Sequence, residues 1–165
     1  MPRAERMALG GYVYHVLNRA NGRLRIFRKE SDFLAFEKIL GHLYQGRYKS
    51  FPVQSDPYYL NVLRYIEANP VRAGLVRDPR QWAWSSLAVR QGRESAVTLS
   101  AGPVALPPKW AGLVRAVLSP ADVDGISNSI RRGAPFGAAS WVAATATSLR
   151  LLSTLRPRGR PRKST

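Results

Sequence analysis

Residues 65–76 read Tyr-Ile-Glu-Ala-Asn-Pro-Val-Arg-Ala-Gly-Leu-Val, and no other stretch constrains the fold of the chain as strongly. On a helix, Tyr65 and Asn69 lie one turn apart and point in the same direction. Pro70 lacks a backbone donor and disfavours helical geometry at the residue before it, so the sequence predicts a helix that ends near Asn69. A phenol and a carboxamide would then share one helix end, with Arg64 and Arg72 close by.

These side chains are typical of a site that cleaves phosphodiester bonds. A phenolic oxygen can form a covalent intermediate, a carboxamide oxygen can bind a hard divalent cation, and arginine suits phosphate. The spacing alone leaves an ordinary alternative open, in which Tyr65 is a half-buried helix aromatic and Asn69 a helix-end residue.

The charge of the chain favours a nucleic acid as its partner. The 165 residues include 26 lysines and arginines against 10 acidic residues, a net charge of +16, and 21 of the basic residues are arginine. Arginine makes bidentate contacts to phosphate and stacks on bases, and each neutralised phosphate releases a counterion. An anionic membrane surface is the competing partner, but no long amphipathic basic helix stands out in the sequence.

The composition also excludes several classes of protein. There is no cysteine, which excludes disulfides and thiolate metal sites. No apolar run approaches the roughly 18 residues of a membrane span, and residues 1–6 lack the apolar core of a signal peptide. We therefore expect a soluble cytoplasmic protein with no membrane partner.

The N-terminal half predicts alternating strands and helices. Ser31 and Asp56 are the expected N-caps of the two helices. The expected elements are a strand at 12–17, a turn at 18–25, a helix at 31–40, a strand at 47–53 and a helix at 58–68. The core face of the second helix is expected to contain Leu60, Leu63, Ile66 and Tyr59. The segment after this helix is expected to pack back onto it through Trp82, Trp84 and Leu87.

A linker and a helical region follow. Residues 91–108 are rich in small residues and proline and predict a linker. Ser119 is the expected N-cap of a helix, residues 133–137 form a turn, and residues 140–149 form a second helix. Such a pair fits either a DNA-binding helix-turn-helix or an ordinary helical pair. The predicted division of the chain is a domain at 1–90, a linker at 91–108, a helical region at 109–152 and a basic tail at 153–165.

The tail reads Arg-Pro-Arg-Gly-Arg-Pro-Arg-Lys at 156–163 and resembles the core of an AT-hook. Prolines keep such a segment extended, Gly159 lets the backbone approach the groove floor, and a narrow minor groove attracts arginine. The tail is therefore expected to contact A·T-rich duplex DNA. A disordered basic terminus with non-specific affinity is the alternative.

Four motifs follow one another along the chain. They lie at residues 14–27, at Gly-His-Leu-Tyr-Gln-Gly-Arg-Tyr-Lys-Ser (41–50), at Tyr-Ile-x-x-Asn-Pro-Val-Arg-Ala-Gly-Leu-Val with Trp-x-Trp-Ser-Ser (65–86), and at 131–161. In this order they resemble the REP-associated tyrosine transposases, which belong to the single-tyrosine transposases with a His-hydrophobic-His motif. The resemblance covers most of the chain.

The resemblance implies a chemistry and a ligand. Tyr65 would be the nucleophile that attacks a DNA phosphodiester, and Asn69 the third ligand of a divalent metal, Mg²⁺ or Mn²⁺. The DNA would be single-stranded or a hairpin, and the protein would associate with the bacterial nucleoid. The residues expected to contact DNA are Arg19, Arg23, Arg25, Arg47, Lys49, Arg64, Arg72, Arg131, Arg132, Arg156, Arg158, Arg160 and Arg162.

The histidine pair of that family is absent from this sequence. The family carries it on a central strand, whereas here the first helix runs directly into Gly41. The two histidines present, His15 and His42, match other family positions. A lone carboxamide does not hold Mg²⁺ or Mn²⁺ at useful affinity. The sequence therefore predicts a chain that retains DNA binding and has lost strand cleavage.

The expected fold class is α+β: the remnant of a ferredoxin-like transposase domain with two strands plus helices, a small helical C-terminal region and a basic tail. Two strands and two helices bury little apolar area, so the core is expected to be loose or completed by a partner chain, as in a homodimer. Two other functions stay open. One is an active enzyme whose metal ligands include His15 or come from another subunit, and the other is a non-catalytic DNA-binding regulator that uses the helix pair and the tail.

Overall fold

A computed structural model of the protein describes residues 12–17, 29–39, 49–55, 57–95 and 98–156. In these ranges the chain forms a two-stranded antiparallel sheet and eight α-helices, which confirms the mixed α and β class. The elements are β1 (Val13–Leu17), α1 (Glu30–Ile39), β2 (Lys49–Val53), α2 (Pro57–Glu67), α3 (Asn69–Arg72), a 3₁₀ helix (Pro79–Gln81), α4 (Ser86–Arg90), α5 (Trp110–Arg115), α6 (Pro120–Arg132), α7 (Ala139–Ser148) and α8 (Leu152–Leu155). Among the helices so described, none has the length and apolarity needed to cross a membrane.

The sheet pairs β1 with β2, and both predicted strands are found. His15 lies opposite Phe51, and Tyr14 lies opposite Pro52. Phe136 adds a one-residue bridge to β2, because its amide donates to the Pro52 carbonyl at 2.9 Å and its carbonyl accepts the Gln54 amide at 2.9 Å. Pro52 has no amide hydrogen to donate, but its carbonyl accepts this bond. A residue from the C-terminal region thus extends the sheet.

The helix that carries Tyr65 ends differently from the prediction. α2 ends at Glu67, and Asn69 is the first residue of α3. The prediction that Pro70 displaces Asn69 from helical geometry was therefore wrong. The first turn of a helix needs no amide donor at the proline, so Asn69 and Pro70 open a new helix after the break at Ala68.

A Schellman motif ends α3 and accounts for the glycine of the 65–76 motif. The Leu75 amide donates to the Pro70 carbonyl at 2.9 Å, and the Gly74 amide donates to the Val71 carbonyl at 3.0 Å. Gly74 has a φ of +68°, a left-handed conformation that glycine adopts at low cost. The Asn-Pro-Val-Arg-Ala-Gly-Leu run thus encodes a one-turn helix together with its end.

Two clusters of buried side chains form the core, and both join the N-terminal half to the C-terminal region. The first cluster contains Phe51, Val53, Val62, Ile126 and Phe136. The second contains Leu87, Trp110 and Val114, with Leu60 and Leu63 packed against it. Residues from 110 to 136 of the same chain therefore supply apolar surface that two strands and two helices lack. Both clusters contain residues from the two sides of the predicted linker. The division of the chain into separate regions stays a prediction.

The buried face of α2 is only partly the predicted one. Leu60 and Leu63 pack against the second cluster and Tyr59 against the first, as expected. Val62 is 4% exposed, whereas Ile66, a predicted core residue, is 38% exposed. α2 contacts β2, α5 and α6, so it buries two sides of its surface, and the sheet side is filled by Val62.

Of the predicted helix N-caps, Ser119 is confirmed and Ser31 is not. Ser119 is the N-cap of α6, and its hydroxyl accepts the Asp122 amide at 3.1 Å. Ser31 is not the N-cap of α1, because α1 begins one residue before it. Asp32 instead accepts the amide of Lys29 at 3.1 Å. Other predictions concern residues outside the described ranges, namely the turn at 18–25, the cap Asp56 and the tail beyond 156.

The predicted linker packs against the domain. The described residues of 98–108 form neither helix nor strand, but Leu106 lies against the second cluster. Gly102 approaches the phenol of Tyr59 so closely that a Cβ would have no room there.

α6 and α7 occur where two helices were predicted, and α6 packs on α2 and β2. Whether the pair acts as a helix-turn-helix stays a prediction.

Candidate nucleic-acid site

Arg72 contacts both residues at the centre of the 65–76 motif. Its Nη2 atom donates to the Tyr65 carbonyl oxygen at 2.6 Å and to Asn69 Oδ1 at 3.2 Å. Its Cζ atom lies 3.7 Å from the centroid of the Tyr65 ring, where the negative face of the ring attracts a cation. The structure thus brings together the phenol, the carboxamide and one of the two arginines that the spacing had placed close by.

The carboxamide of Asn69 is poorly suited to a divalent cation in this arrangement. Its Oδ1 atom, which would bind the metal, accepts a hydrogen bond from a guanidinium. A metal ion on that oxygen would lie within a few ångströms of a like charge. In the part of the chain that the structure describes, no three His, Cys, Asp or Glu side chains are grouped to hold a metal. The described residues therefore do not fit the metal site that the resemblance implies.

Arg64 is hydrogen-bonded to the end of α5, and no hydrogen bond joins its side chain to Tyr65 or Asn69 among the described residues. Its Nε atom donates to the Leu113 carbonyl at 2.9 Å, and its Nη2 atom donates to the Ala116 carbonyl at 3.1 Å. A charged donor satisfies the free carbonyls at a helix C-terminus and favours the negative end of the helix dipole. Arg64 thus fixes the end of α5, and DNA contact by Arg64 stays a prediction.

The other predicted DNA-contacting residues divide into three groups. Arg131 on α6 and Arg156 after α8 are exposed. Arg132 donates to the carbonyls of Thr154 and Arg156, so it holds the segment around α8 against α6. Outside the described residues or side chains lie Arg19, Arg23, Arg25, Arg47, Lys49, Arg158, Arg160 and Arg162. DNA contact by all of these residues stays a prediction.

His15 lies in a small apolar cavity rather than in a set of metal ligands. Its ring centroid is 5.1 Å from that of Phe51, and it lines a cavity of about 60 Å³ together with Tyr59, Val62 and Leu63. Its Nε2 atom is buried without a hydrogen-bond partner among the described residues. Burial lowers the pKa of His15 to about 4. Among the described residues, no second histidine, aspartate or glutamate lines this cavity, and His42 lies outside the described ranges.

The burial of His15 predicts that acid destabilises the fold. The ordinary pKa of 6.5 applies to the unfolded chain, and the folded chain has a pKa of about 4. Above pH 6.5 the imidazole is neutral in both states, so this stability is fully present there. As the pH falls from 6.5 to 4, the unfolded chain binds a proton that the folded chain does not bind, and the free energy of unfolding falls by about 2 kcal/mol, allowing for partial exposure of the side chain.

Urea unfolding between pH 7 and pH 4 measures this effect. Carboxylates titrate in the same range, so the informative quantity is the difference in slope between the wild type and His15→Phe. We expect His15→Phe to lose part of the acid destabilisation and His42→Phe, the same change at the other histidine, to retain it. Equal slopes in the wild type and His15→Phe would show that His15 is not the group responsible.

Glu67 is the functional-site neighbour that sequence reasoning missed. It is 1% exposed, although it carries a carboxylate. Its Oε2 atom accepts the Trp110 indole N–H at 2.7 Å. Its Oε1 atom accepts the hydroxyl of Ser86 and, at 3.4 Å, the Nε–H of Arg90. The carboxylate therefore joins the end of α2 to both α4 and α5.

A signal for this role is present in the sequence. Leu60, Leu63 and Glu67 are spaced at i, i+3 and i+7, so the carboxylate lies on the apolar face of α2. A charge in that place needs partners, because a buried charge without them is very costly. Glu67 precedes Asn69 by two residues, so the network also positions the start of α3.

A cavity of about 350 Å³ opens beside Asn69, and Trp82 and Trp84 also line it. Phe33 of α1 stacks on Trp84, with 5.0 Å between ring centroids and 13° between planes, and meets Trp82 edge-on at 5.7 Å. The segment after α2 was predicted to pack onto that helix through Trp82, Trp84 and Leu87. Leu87 does so, because its cluster contacts Leu60 and Leu63 of α2. The two indoles pack on Phe33 and line the same cavity as Ile66 and Glu67 of α2.

Comparison of the chain with models of known protein families, with curated proteins and with solved structures finds no match. The chemistry of the site therefore rests on its own residues. They provide guanidinium groups that suit phosphate, indole rings that suit bases, and a phenol held against a cation.

Proposed function

We propose that this protein is a DNA-binding relative of the REP-associated tyrosine transposases, one that binds hairpin or single-stranded DNA and has lost strand cleavage. The observation that carries the proposal is the contact of Arg72 with both Tyr65 and Asn69. The resemblance assigns a nucleophile and a metal ligand to these two positions. Here the ligand oxygen is bonded to a cation that suits phosphate, which favours binding over metal-dependent cleavage.

Arg72 retains donors that can reach a phosphate. Both of its hydrogen bonds use Nη2, whereas a guanidinium carries five N–H groups. Its Nε and Nη1 atoms have no hydrogen-bond partner among the described residues, and the side chain is exposed. These donors are available to bond a phosphate that approaches Arg72 beside Tyr65 and Asn69.

The pairing of the strands is compatible with the proposed origin. In a β-α-β-β-α-β ferredoxin-like arrangement, the first and last strands are neighbours and run antiparallel. Because these two strands are neighbours in the intact arrangement, they can still pair when an internal block with the other two strands is absent. β1 and β2 pair in that way, and Ile126 of α6 and Phe136 pack with Phe51 and Val53 of β2 in the first cluster.

Purified protein with Mg²⁺ or Mn²⁺ is expected to bind a hairpin with a single-stranded flank and to form no covalent adduct with it. Attack by a phenol builds negative charge on the phosphate, and electrostatic stabilisation of that charge is usually the largest catalytic contribution. Arg72 alone, already bonded to Asn69 Oδ1, supplies only part of it. Adduct formation is measured as a protein–DNA band that survives denaturing electrophoresis.

The controls are Tyr65→Phe and Tyr58→Phe, which remove a phenol at the proposed position and at another half-buried position of the same helix. An adduct that forms with the wild type and with Tyr58→Phe but not with Tyr65→Phe would overturn the proposed loss of cleavage. It would support the alternative in which another subunit completes the metal site. Failure of the wild type to bind the hairpin at low salt would overturn the proposed function itself.

A further inference from the structure

A second, smaller cavity lies where α3, the segment after it, α5 and α6 meet. Its volume is about 140 Å³. Buried and half-buried apolar side chains line it, among them those of Val71, Pro79, Val114 and Leu118. Val117 also lines the cavity and is 92% exposed. Apolar surface thus continues from the cavity into the solvent, which is typical of a place where another molecule binds.

Three exposed arginines, Arg72, Arg77 and Arg115, border this cavity. Asp78 lies 3.5 Å from Arg115, but its carboxylate also forms an ion pair with Arg80 at 2.6 Å. The side chain of Arg77 has no hydrogen-bond or ion-pair partner among the described residues. The cavity therefore combines an apolar interior with a positively charged rim.

The size of the cavity fits one large apolar side chain. An apolar cavity of about 150 Å³ accommodates a benzene ring, whereas sites for whole small molecules usually enclose about 300–1,000 Å³. In protein interfaces, an apolar anchor that fills a pocket and is surrounded by a polar rim supplies much of the binding energy. The volume of this cavity therefore favours the side chain of a partner protein over a free small molecule.

The charge of the rim selects the kind of partner. A second copy of this chain carries 26 basic residues against 10 acidic ones, so it would meet the three arginines with a like charge. The phosphates of DNA match the arginines but leave the apolar walls unoccupied. An acidic segment that contains one large apolar residue is complementary to both the rim and the interior.

We propose that this cavity is a docking site for an acidic segment of a partner protein, with one large apolar side chain of that segment seated between α3, α5 and α6. The carboxylates beside this side chain pair with the arginines of the rim, and the segment covers Val117. The inference goes beyond the proposed function, because no DNA takes part in the interaction. Its failure and the failure of DNA binding are therefore separate results.

The test uses two fluorescent peptides, an acidic peptide with a single phenylalanine flanked by glutamates and the same peptide with alanine in its place. Fluorescence anisotropy at about 0.15 M salt, where distant charges are screened, measures the binding of each. Ala116→Leu fills the cavity from an exposed position that lines it, and Ala144→Leu is the same change at an exposed position of α7 outside the lining. Val117→Ser removes apolar surface from a side chain that the fold leaves in solvent. Thermal unfolding reports whether each variant retains the fold.

The wild type and Ala144→Leu are expected to bind the phenylalanine peptide about tenfold more tightly than the alanine peptide, because a phenyl ring is buried. Ala116→Leu is expected to reduce this preference to within about twofold, and Val117→Ser to reduce it by about threefold. Equal affinity of the wild type for the two peptides would overturn the inference. So would an unchanged preference in both Ala116→Leu and Val117→Ser.

The rim is tested by Arg77→Gln against Arg150→Gln, a matched change at an exposed arginine outside the lining. Arg77→Gln is expected to weaken both peptides by about threefold and to keep the preference for phenylalanine, whereas Arg150→Gln should bind as the wild type does. Equal binding by the two variants would overturn the role of the rim. Competition by phenylacetate as strong as that by the peptide, or a dimer in sedimentation that Ala116→Leu dissociates, would assign the cavity to a small acid or to a second copy and overturn the proposed partner.

Discussion

Replacing Glu67 by alanine is expected to lower the free energy of unfolding by about 3–5 kcal/mol. The substitution leaves the buried indole N–H of Trp110 and the hydroxyl of Ser86 without their acceptor, and it opens a cavity at the junction of α2, α4 and α5. The side chain of Arg90 is 26% exposed, so its charge can turn toward water. Because Arg90 is not left as a buried unpaired charge, we expect a loss of unfolding free energy near the lower end, about 3 kcal/mol.

Urea unfolding at neutral pH, followed by tryptophan fluorescence, measures the loss. Glu67→Gln keeps the shape and one acceptor oxygen, so we expect it to cost about half as much as Glu67→Ala. Asp124→Ala removes an exposed carboxylate from α6 and should change stability by no more than about 0.5 kcal/mol. If Glu67→Ala were as mild as Asp124→Ala, the carboxylate would not hold the three helices together.

Hairpin binding is expected to weaken by about a thousandfold between about 50 and 200 mM salt, the loss typical of six phosphate contacts. The six basic residues expected around the site are Arg19, Arg23, Arg25, Arg47, Lys49 and Arg72. Each contact releases a counterion, so the slope of affinity against salt counts the contacts. Affinity that stays flat over this range would exclude phosphate contacts as the basis of binding.

Arg72→Gln is expected to reduce that slope by about one, because one phosphate contact is removed. Arg80→Gln is the matched control with the same change in net charge. Arg80 pairs with Asp78 at 2.6 Å, and this pair holds the pKa of Asp78 well below its usual range. Its charge is thus already compensated, and we expect the slope of Arg80→Gln to equal that of the wild type. Equal slopes for Arg72→Gln and the wild type would remove Arg72 from the DNA contact.

Much of the local structure follows from the sequence, because caps, turns and periodicity act between residues only a few positions apart. Both strands, the helix that carries Tyr65 and the Ser119 cap of α6 occur where the pattern predicts them. The hydrogen bond from Arg72 to Asn69, three residues earlier, is also a local contact between residues on one helix turn. Even the error at Pro70 was local, since proline is compatible with either the end of one helix or the first turn of the next.

The tertiary structure alone decided which distant groups meet. Trp110 reaches Glu67 across 43 positions of sequence, and Arg64 reaches Leu113 across 49. Ile126 and Phe136 complete the core that the N-terminal half lacks. No local rule specifies these partners, because a helix face or a charged side chain shows only that it needs a partner and not which one. The partner depends on how the whole chain packs, and that packing brought Asn69 and two indoles to the lining of one cavity.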